Sequence, residues 1–330
     1  MELEIGGYKE LDLRKGLEYY SGDNVCRLNS GRAGIYYAIK KYNCSKALIP
    51  FYECSTVREF LAKKCVRIEY YHIDKYFNPI IDKAIDSDTA LIVVNYFGLF
   101  SKEKIESLSY ISPNIIVDNS QGFFSTPIEN VYNVYSPRKF FGVPDGAYVI
   151  GNNACKGAEE YDQDISSGTS SFLLRRIETG ANNNYAYYLE NERRIDQSDI
   201  KRMSKLTSSL LDSIDYKEYL TKRRQNFKTS KELFSSLNQM DCSLVENVEE
   251  DAAPIAYPLL VRNDKLRSFL KEKHIYVGQW WRYLVDEMDV SSIESYYSRY
   301  LFPIPIDHRY GENELLYIYE IIRESLKSVL

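Results

Sequence analysis

A chain of 330 residues is long enough for one large α/β unit or for a large domain with a smaller companion. Apolar residues at 44% and charged residues at 27% fit a globular protein, and a net charge of −5 argues against the clustered basic face of a nucleic-acid binder. Any phosphate on a ligand must therefore be met by a local site, and the 30 tyrosines imply much half-buried surface where a ring packs and its hydroxyl finds a polar partner.

The predicted elements alternate strand and helix through the first half. LNSGRAGIYYAIKKY (28–42) opens an amphipathic helix whose apolar positions include Ile35, Tyr36 and Ile39. ALIPFY (47–52) is a short apolar strand, and STVREFLAKK (55–64) has helical spacing with Ser55 or Thr56 as its cap. CVRIEYYHID (65–74) alternates like a strand, and ALIVVNYFGLF (90–100) is the continuous apolar run of a strand covered on both faces. KEKIESLSYI (102–111) predicts a helix, followed by strands at NIIVDNSQG (114–122), VYNVYS (131–136) and, after a PDG turn, AYVIGN (147–152). Short strands with helical connections imply a mostly parallel central sheet with helices on both faces. In such sheets functional residues collect at the strands' C-terminal ends.

Beyond residue 155 the pattern changes. The stretch 157–171 is polar and loop-like, and 180–194 is rich in Asn and Tyr. Helix is predicted in two pieces from about 200 to 237, the second starting near Asp215. Then follow a strand of a separate small sheet (252–263), a helix (265–275), an extended YVGQWW (276–281) and a closing helix (312–329). The expected division is a large domain over 1–215 and a smaller C-terminal α+β domain over 216–330, with no internal repeat.

The six cysteines (Cys26, Cys44, Cys54, Cys65, Cys155, Cys242) lack CxxC spacing, and His72, His274 and His308 lie far apart, so no metal site is expected. The polar MELEIGGYKELDLRKG lacks the apolar core of a signal peptide, and no run approaches the roughly 20 apolar residues that span a bilayer. A cytoplasmic protein with reduced cysteines, bound neither to membrane nor to nucleic acid, is the expectation.

Four features fall at predicted strand ends. At Ser30-Gly31-Arg32, backbone amides at a helix start with a glycine permitting close approach form an anion site, although an ordinary serine-capped helix has the same pattern. Asp118 follows three β-branched residues; it either caps the next turn or, held ionised in a dry pocket, pairs with a protonated heterocyclic nitrogen, with Gln121 in reach of a neighbouring phenolic oxygen. In YSPRKFF (135–141), Ser136 stands three residues before Lys139. An isolated lysine of this kind ordinarily snorkels to the surface, but one entering a closed site has its amine pKa lowered by desolvation and can form a Schiff base. Finally, Tyr52 in PFYECS either packs in the core or lays its ring against a flat cofactor.

Helix-start glycine, aromatic loop, Asp-x-x-Gln at a strand end and then Ser-x-x-Lys: this order resembles the fold-type-I pyridoxal-phosphate (PLP) enzymes. More narrowly it is similar to the DegT/DnrJ/EryC1/StrS sugar aminotransferases. The matching pieces are NSGRAGIYYAIK, IPFYECSTVREFL, IVVNYFGLF, IIVDNSQGFF, YSPRKFFGVPDGAYVI and LFPIPIDHRYGENELLYIYEII, densest over 28–152 and 300–323. The resemblance implies Lys139 as the Schiff-base lysine and proton shuttle, Asp118 on the pyridine nitrogen and Gln121 at the ring hydroxyl. It also implies the amides of Gly31 and Arg32 with the Ser136 hydroxyl at the phosphate, and a homodimer. The implied reaction moves an amino group from an amino acid, glutamate or glutamine, to a keto-sugar, nucleotide-linked. Here the family's Gly-Gly pair after the lysine is Gly146-Ala147, and NNNY (182–185) stands where an Asn-Tyr-Arg pattern is usual.

Two other readings stay open. A PLP-dependent lyase or dehydratase would keep the cofactor and change the reaction, and the lysine argues against the deoxygenating branch, where histidine replaces it. A non-catalytic member would use its tyrosine-rich surface for binding. A nicotinamide enzyme is disfavoured because no GxGxxG follows the first strand.

Overall fold

In the computed structural model, which describes residues 5–246, 248 and 252–327, short β-branched runs assemble into one eight-stranded sheet. The strands are β1 (Val25–Leu28), β2 (Lys46–Pro50), β3 (Arg67–Ile73), β4 (Pro79–Ile80), β5 (Thr89–Val94), β6 (Ile115–Asp118), β7 (Tyr132–Tyr135) and β8 (Ala147–Ile150), in the order β1-β8-β7-β6-β5-β2-β3-β4. The central pairings from β7 to β3 are parallel, while β8 runs antiparallel to both β7 and β1. Two reversals leave β1 pointing the same way as β7, so the chain leaves β1 at the edge where the parallel strands end. This is the fold-type-I architecture expected from the sequence.

Alternation along each strand explains why these runs are apolar throughout. Ala47, Ile49, Ala90, Ile92, Ile116 and Val134 pack on one face with α1 (Gly31–Lys41) and α2 (Ser55–Lys63). Leu48, Leu91, Val93, Ile115 and Val117 pack on the other. A strand with both faces covered has no position left for a polar residue. Helix α1 lies close on the sheet because Gly34 has no side chain: a Cβ there would stand 2.8 Å from Val134 Cγ1.

Helix α3 (Lys102–Ser109) connects β5 to β6. After β8 come α4 (Ser171–Thr179), α5 (Tyr185–Gln197) and α6 (Lys205–Asp212). Helix α7 (Tyr216–Phe234) begins where predicted, with Asp215 accepting the Glu218 N–H at 3.0 Å as its cap. Beyond it, α8 (Ser243–Glu246), β9 (Ala256–Leu260), α9 (Leu266–Glu272), α10 (Leu284–Glu287), α11 (Ile293–Tyr300), β10 (Leu301–Pro305) and α12 (Glu312–Lys327) form a smaller α+β assembly around the antiparallel β9–β10 pair. Its core is continuous with the large sheet: Phe227, Tyr257, Phe302 and Ile318 belong to the same buried cluster as Leu91 and Val117.

Several local expectations are corrected. The first three residues of β1 and all of β10 escape the sequence pattern, one being short and the other carrying two prolines that a two-stranded edge tolerates. The run 90–100 stops being strand at Val94, since Phe97 turns left-handed at φ 59°. Cys54, with no side-chain cap bond, holds the cap position of α2 in place of Ser55 or Thr56. Segment 276–281 has no strand pairing, and Trp281 is left-handed at φ 53°. Helix α4 takes up the last residue of the stretch 157–171 and continues past it. The last two residues of the predicted closing helix lie outside the described residues. Among the described residues no helix is long and apolar enough to cross a membrane.

Candidate active site

The site grows from the end of β6. Register pairs Asp118 with Val94 of β5 and Val134 of β7, which sets it mid-sheet at the C-terminal edge. Only 3% of it is exposed. Its Oδ1 accepts the Ser120 N–H at 2.8 Å, so the turn-capping role and the buried carboxyl coexist in one residue. Burial raises the Asp118 pKa, while the Ser120 hydroxyl and amide and the charge of Lys139 oppose that rise.

Beside it three chain segments meet at a point. Ser30 caps α1, accepting the Ala33 N–H at 3.4 Å, and Gly31 is the first helical residue. A Cβ on Gly31 would lie 3.2 Å from Ser120 Oγ and 3.9 Å from Ser136 Cβ. Helix start, the turn after β6 and the end of β7 thus share a small space that a side chain would fill, with two hydroxyl-bearing residues on its wall. A phosphate suits such a cradle, since helix-start amides and hydroxyls are its ordinary donors. The Arg32 side chain does not join them. It is 7% exposed and its guanidinium pairs with Asp196 of α5 at 2.8 Å.

Ser136, 3% exposed, caps a single 3₁₀ turn, Pro137–Lys139. The Lys139 N–H donates to the Ser136 carbonyl at 3.2 Å. A dry lysine was expected here, and the structure corrects this: Lys139 is exposed. The turn instead sends its neighbour Arg138 inward, to pair with Glu192 of α5. Lys139 nonetheless reaches the site electrostatically, for its charge favours the ionised forms of Asp118 and of Glu53.

Gln121 is buried, and its Oε1 accepts the Phe97 N–H at 2.7 Å, holding the turn after β5. Tyr52 is corrected more firmly. It is 1% exposed, with its ring packed against Trp281 at 4.3 Å, Tyr96 at 5.5 Å and Phe77 at 6.3 Å. That ring belongs to the core between sheet and small assembly and has no face open to a cofactor. The QWWRY cluster joins the same packing, while Arg282 lies exposed and pairs with Asp286. Of the predicted residues the structure therefore brings together Gly31, Asp118, Ser136 and, by its charge, Lys139.

Two residues that sequence reasoning passed over belong to the site. Ser120 serves both Asp118 and the cradle, and its signal was the Asp-x-Ser spacing of a polar turn. Glu53 sits 5% exposed in the loop after β2. Burial and then the Asp118 charge push its carboxyl up to about 8, against the Cys54 N–H and Lys139. Its signal was an acid inside an apolar strand end, the same anomaly that drew attention to Lys139. Among the described residues no group of three or more His, Cys, Asp or Glu is placed to hold a metal ion.

No protein-family model matches the chain, and no curated protein matches it in sequence. Solved structures do match in three dimensions. The sugar aminotransferase CalS13 from Micromonospora echinospora aligns over 91% of this chain and 87% of its own, at 15% identity and a TM-score of 0.61. A DegT DnrJ EryC1 StrS aminotransferase from Brucella abortus aligns over 91% and 85%, at 12% identity and 0.58. NtdA from Bacillus subtilis, solved with bound cofactor PMP, aligns over 91% and 73%, at 14% identity and 0.60. At these identities the likeness establishes the architecture, and the chain has the fold of the DegT/DnrJ/EryC1/StrS sugar aminotransferases.

Proposed function

We propose that the protein is a pyridoxal-phosphate-dependent aminotransferase that moves an amino group from an amino acid, glutamate or glutamine, to a nucleotide-linked keto-sugar. The observation that carries this reading is the meeting of a buried Asp118, Lys139 and the Gly31–Ser120–Ser136 cradle at the C-terminal edge of the parallel strands. The residues present fit the cofactor: a cradle for its phosphate, a buried carboxyl for its ring nitrogen and an amine for its aldehyde. When bound, pyridoxal phosphate supplies a protonated ring that accepts the electron pair left on a substrate carbon.

The chain's own residues do the rest. Helix-start amides and the Ser120 and Ser136 hydroxyls grip the phosphate and fix the ring's position. Asp118, ionised in a dry setting, holds a proton on the ring nitrogen. Lys139 would hold the aldehyde at rest, and once the incoming amine had displaced it, its freed Nζ would take a proton from the donor's amine-bearing carbon and give one to the acceptor's. A positioned base of this kind contributes roughly 10²–10⁴ in rate. A homodimer is part of the proposal. Leu174 and Ile177 of α4 and Tyr185 of α5 are 60%, 83% and 59% exposed; Arg138 ties α5 to the Lys139 turn through Glu192, and a second copy on this face would cover the open lysine.

The test is spectroscopic. Purified chain incubated with pyridoxal phosphate should gain absorbance near the visible edge. Adding glutamate should discharge it, and Lys139→Ala should never gain it. Absorbance that persists in Lys139→Ala contradicts the assignment.

A further inference from the structure

The loop after β2 carries a second buried carboxyl into the site. Glu53 Oε1 accepts the Cys54 N–H at 2.6 Å, whereas Oε2 is sealed from solvent and meets no donor. An ionised oxygen left in that position would lack both water and a hydrogen bond, which the interior penalises heavily. The charged and titratable groups that face Glu53 among the described residues are Asp118, Lys139 and the phenols of Tyr71, Tyr96 and Tyr283. Three neutral phenols and one exposed ammonium do not balance two buried anions. One carboxyl must keep its proton.

Which of the two keeps it follows from the donors. Asp118 receives the Ser120 amide and hydroxyl, while Glu53 receives a single amide. Hydrogen bonds to the charged form favour that form, so the better-served Asp118 ionises first. Resting on the pyridoxal-phosphate reading, we propose that Glu53 is a positioning residue that carries the proton of a Glu53–Asp118 pair and leaves Asp118 as the anion facing the cofactor's ring nitrogen. When Glu53 gives its proton to water, a second negative charge stands beside Asp118. The ring nitrogen then holds its own proton more tightly, and the spectrum of the bound cofactor changes over the pH range in which Glu53 ionises.

Infrared spectra of the cofactor-free chain read the acid C=O band directly. In the wild type such a band should outlast the pH at which ordinary carboxyls ionise, about 4 to 5. It should be missing in Glu53→Gln, and in Asp118→Asn it should vanish about one pH unit lower or more, because the like charge is gone. A band that persists in Glu53→Gln, or that stays in place in Asp118→Asn, overturns the pair, and the second variant decides alone should the first not fold. With cofactor bound, the wild-type absorbance should change in that same pH range, Glu53→Gln should lose the change, and Glu53→Asp should restore it. An unaltered profile in Glu53→Gln overturns the role at the ring nitrogen. A wild-type chain that takes up no cofactor, yet shows the expected acid band, overturns the functional reading and leaves the pair standing.

Discussion

The guanidinium of Arg223, 1% exposed on α7, donates to the Phe140 carbonyl at 3.4 Å and lies 4.6 Å from the centre of that ring. It also reaches the carbonyls of Pro254 at 3.5 Å and Ile255 at 3.4 Å. One cation thereby ties the helix that opens the small assembly to the residue following Lys139 and to the segment entering β9. Burial lowers its pKa to about 10, which leaves it charged at neutral pH. Arg223→Ala would strand three carbonyls and open a cavity at once. We expect a loss of about 2–4 kcal/mol in urea unfolding, together with weaker cofactor uptake. A variant as stable as the wild type would show that the contacts are incidental.

Gly31 should separate binding from folding. Its backbone is ordinary helix and the neighbouring Ser120 hydroxyl can turn aside, so Gly31→Ala should change stability by no more than about 1 kcal/mol. The new Cβ stands 3.2 Å from Ser120 Oγ, in the space read as the phosphate cradle. Pyridoxal-phosphate affinity, measured by titration, should fall about tenfold or more, equivalent to about 1.4 kcal/mol. Unchanged affinity would move the phosphate elsewhere.

Glu53 predicts a pH dependence with a definite sign. Burial, and then the Asp118 charge, push its carboxyl up to about 8 from an ordinary value of 4.5. Between those values the folded chain holds a proton that the unfolded chain has released, so stability falls as pH rises through this window and levels off above it. The slope is at most about 1.4 kcal/mol per pH unit. Thermal unfolding of wild type and Glu53→Gln across the window should show a steeper decline in the wild type, the variant keeping only the part that the raised Asp118 carboxyl contributes. Parallel curves would mean that Glu53 ionises as an ordinary surface acid does.

Ile177 offers a check on assembly. At 83% exposed in the isolated chain it contributes little to the fold, so Ile177→Glu should leave monomer stability within about 0.5 kcal/mol. If α4 and α5 meet a second copy, a charge at that position should convert dimer to monomer in sedimentation at micromolar concentration. An unaltered mass would place the contact on another surface.

The local code carried the parallel sheet and the order of the site. β5 and β6 were legible because a strand buried on both faces must be apolar throughout, and α7 because Asp215 caps a long amphipathic run. Asp118 and Ser136 announced themselves as polar residues ending apolar strands, a property of adjacent residues. What the chain could not say locally is which way a side chain turns once distant segments pack. Tyr52 faces an aromatic core built partly from Trp281, more than two hundred residues away, and this decides against an open ring. Lys139 stays exposed while Arg138 turns inward because Glu192 of α5 pairs with Arg138. The Glu53–Asp118 coupling needs two strand ends, one from β2 and one from β6, brought together across β5. Periodicity and turn chemistry act over a few residues, so they determined the elements and the polar strand ends. Burial and charge depend on neighbours remote in sequence, and only the packed fold decided those.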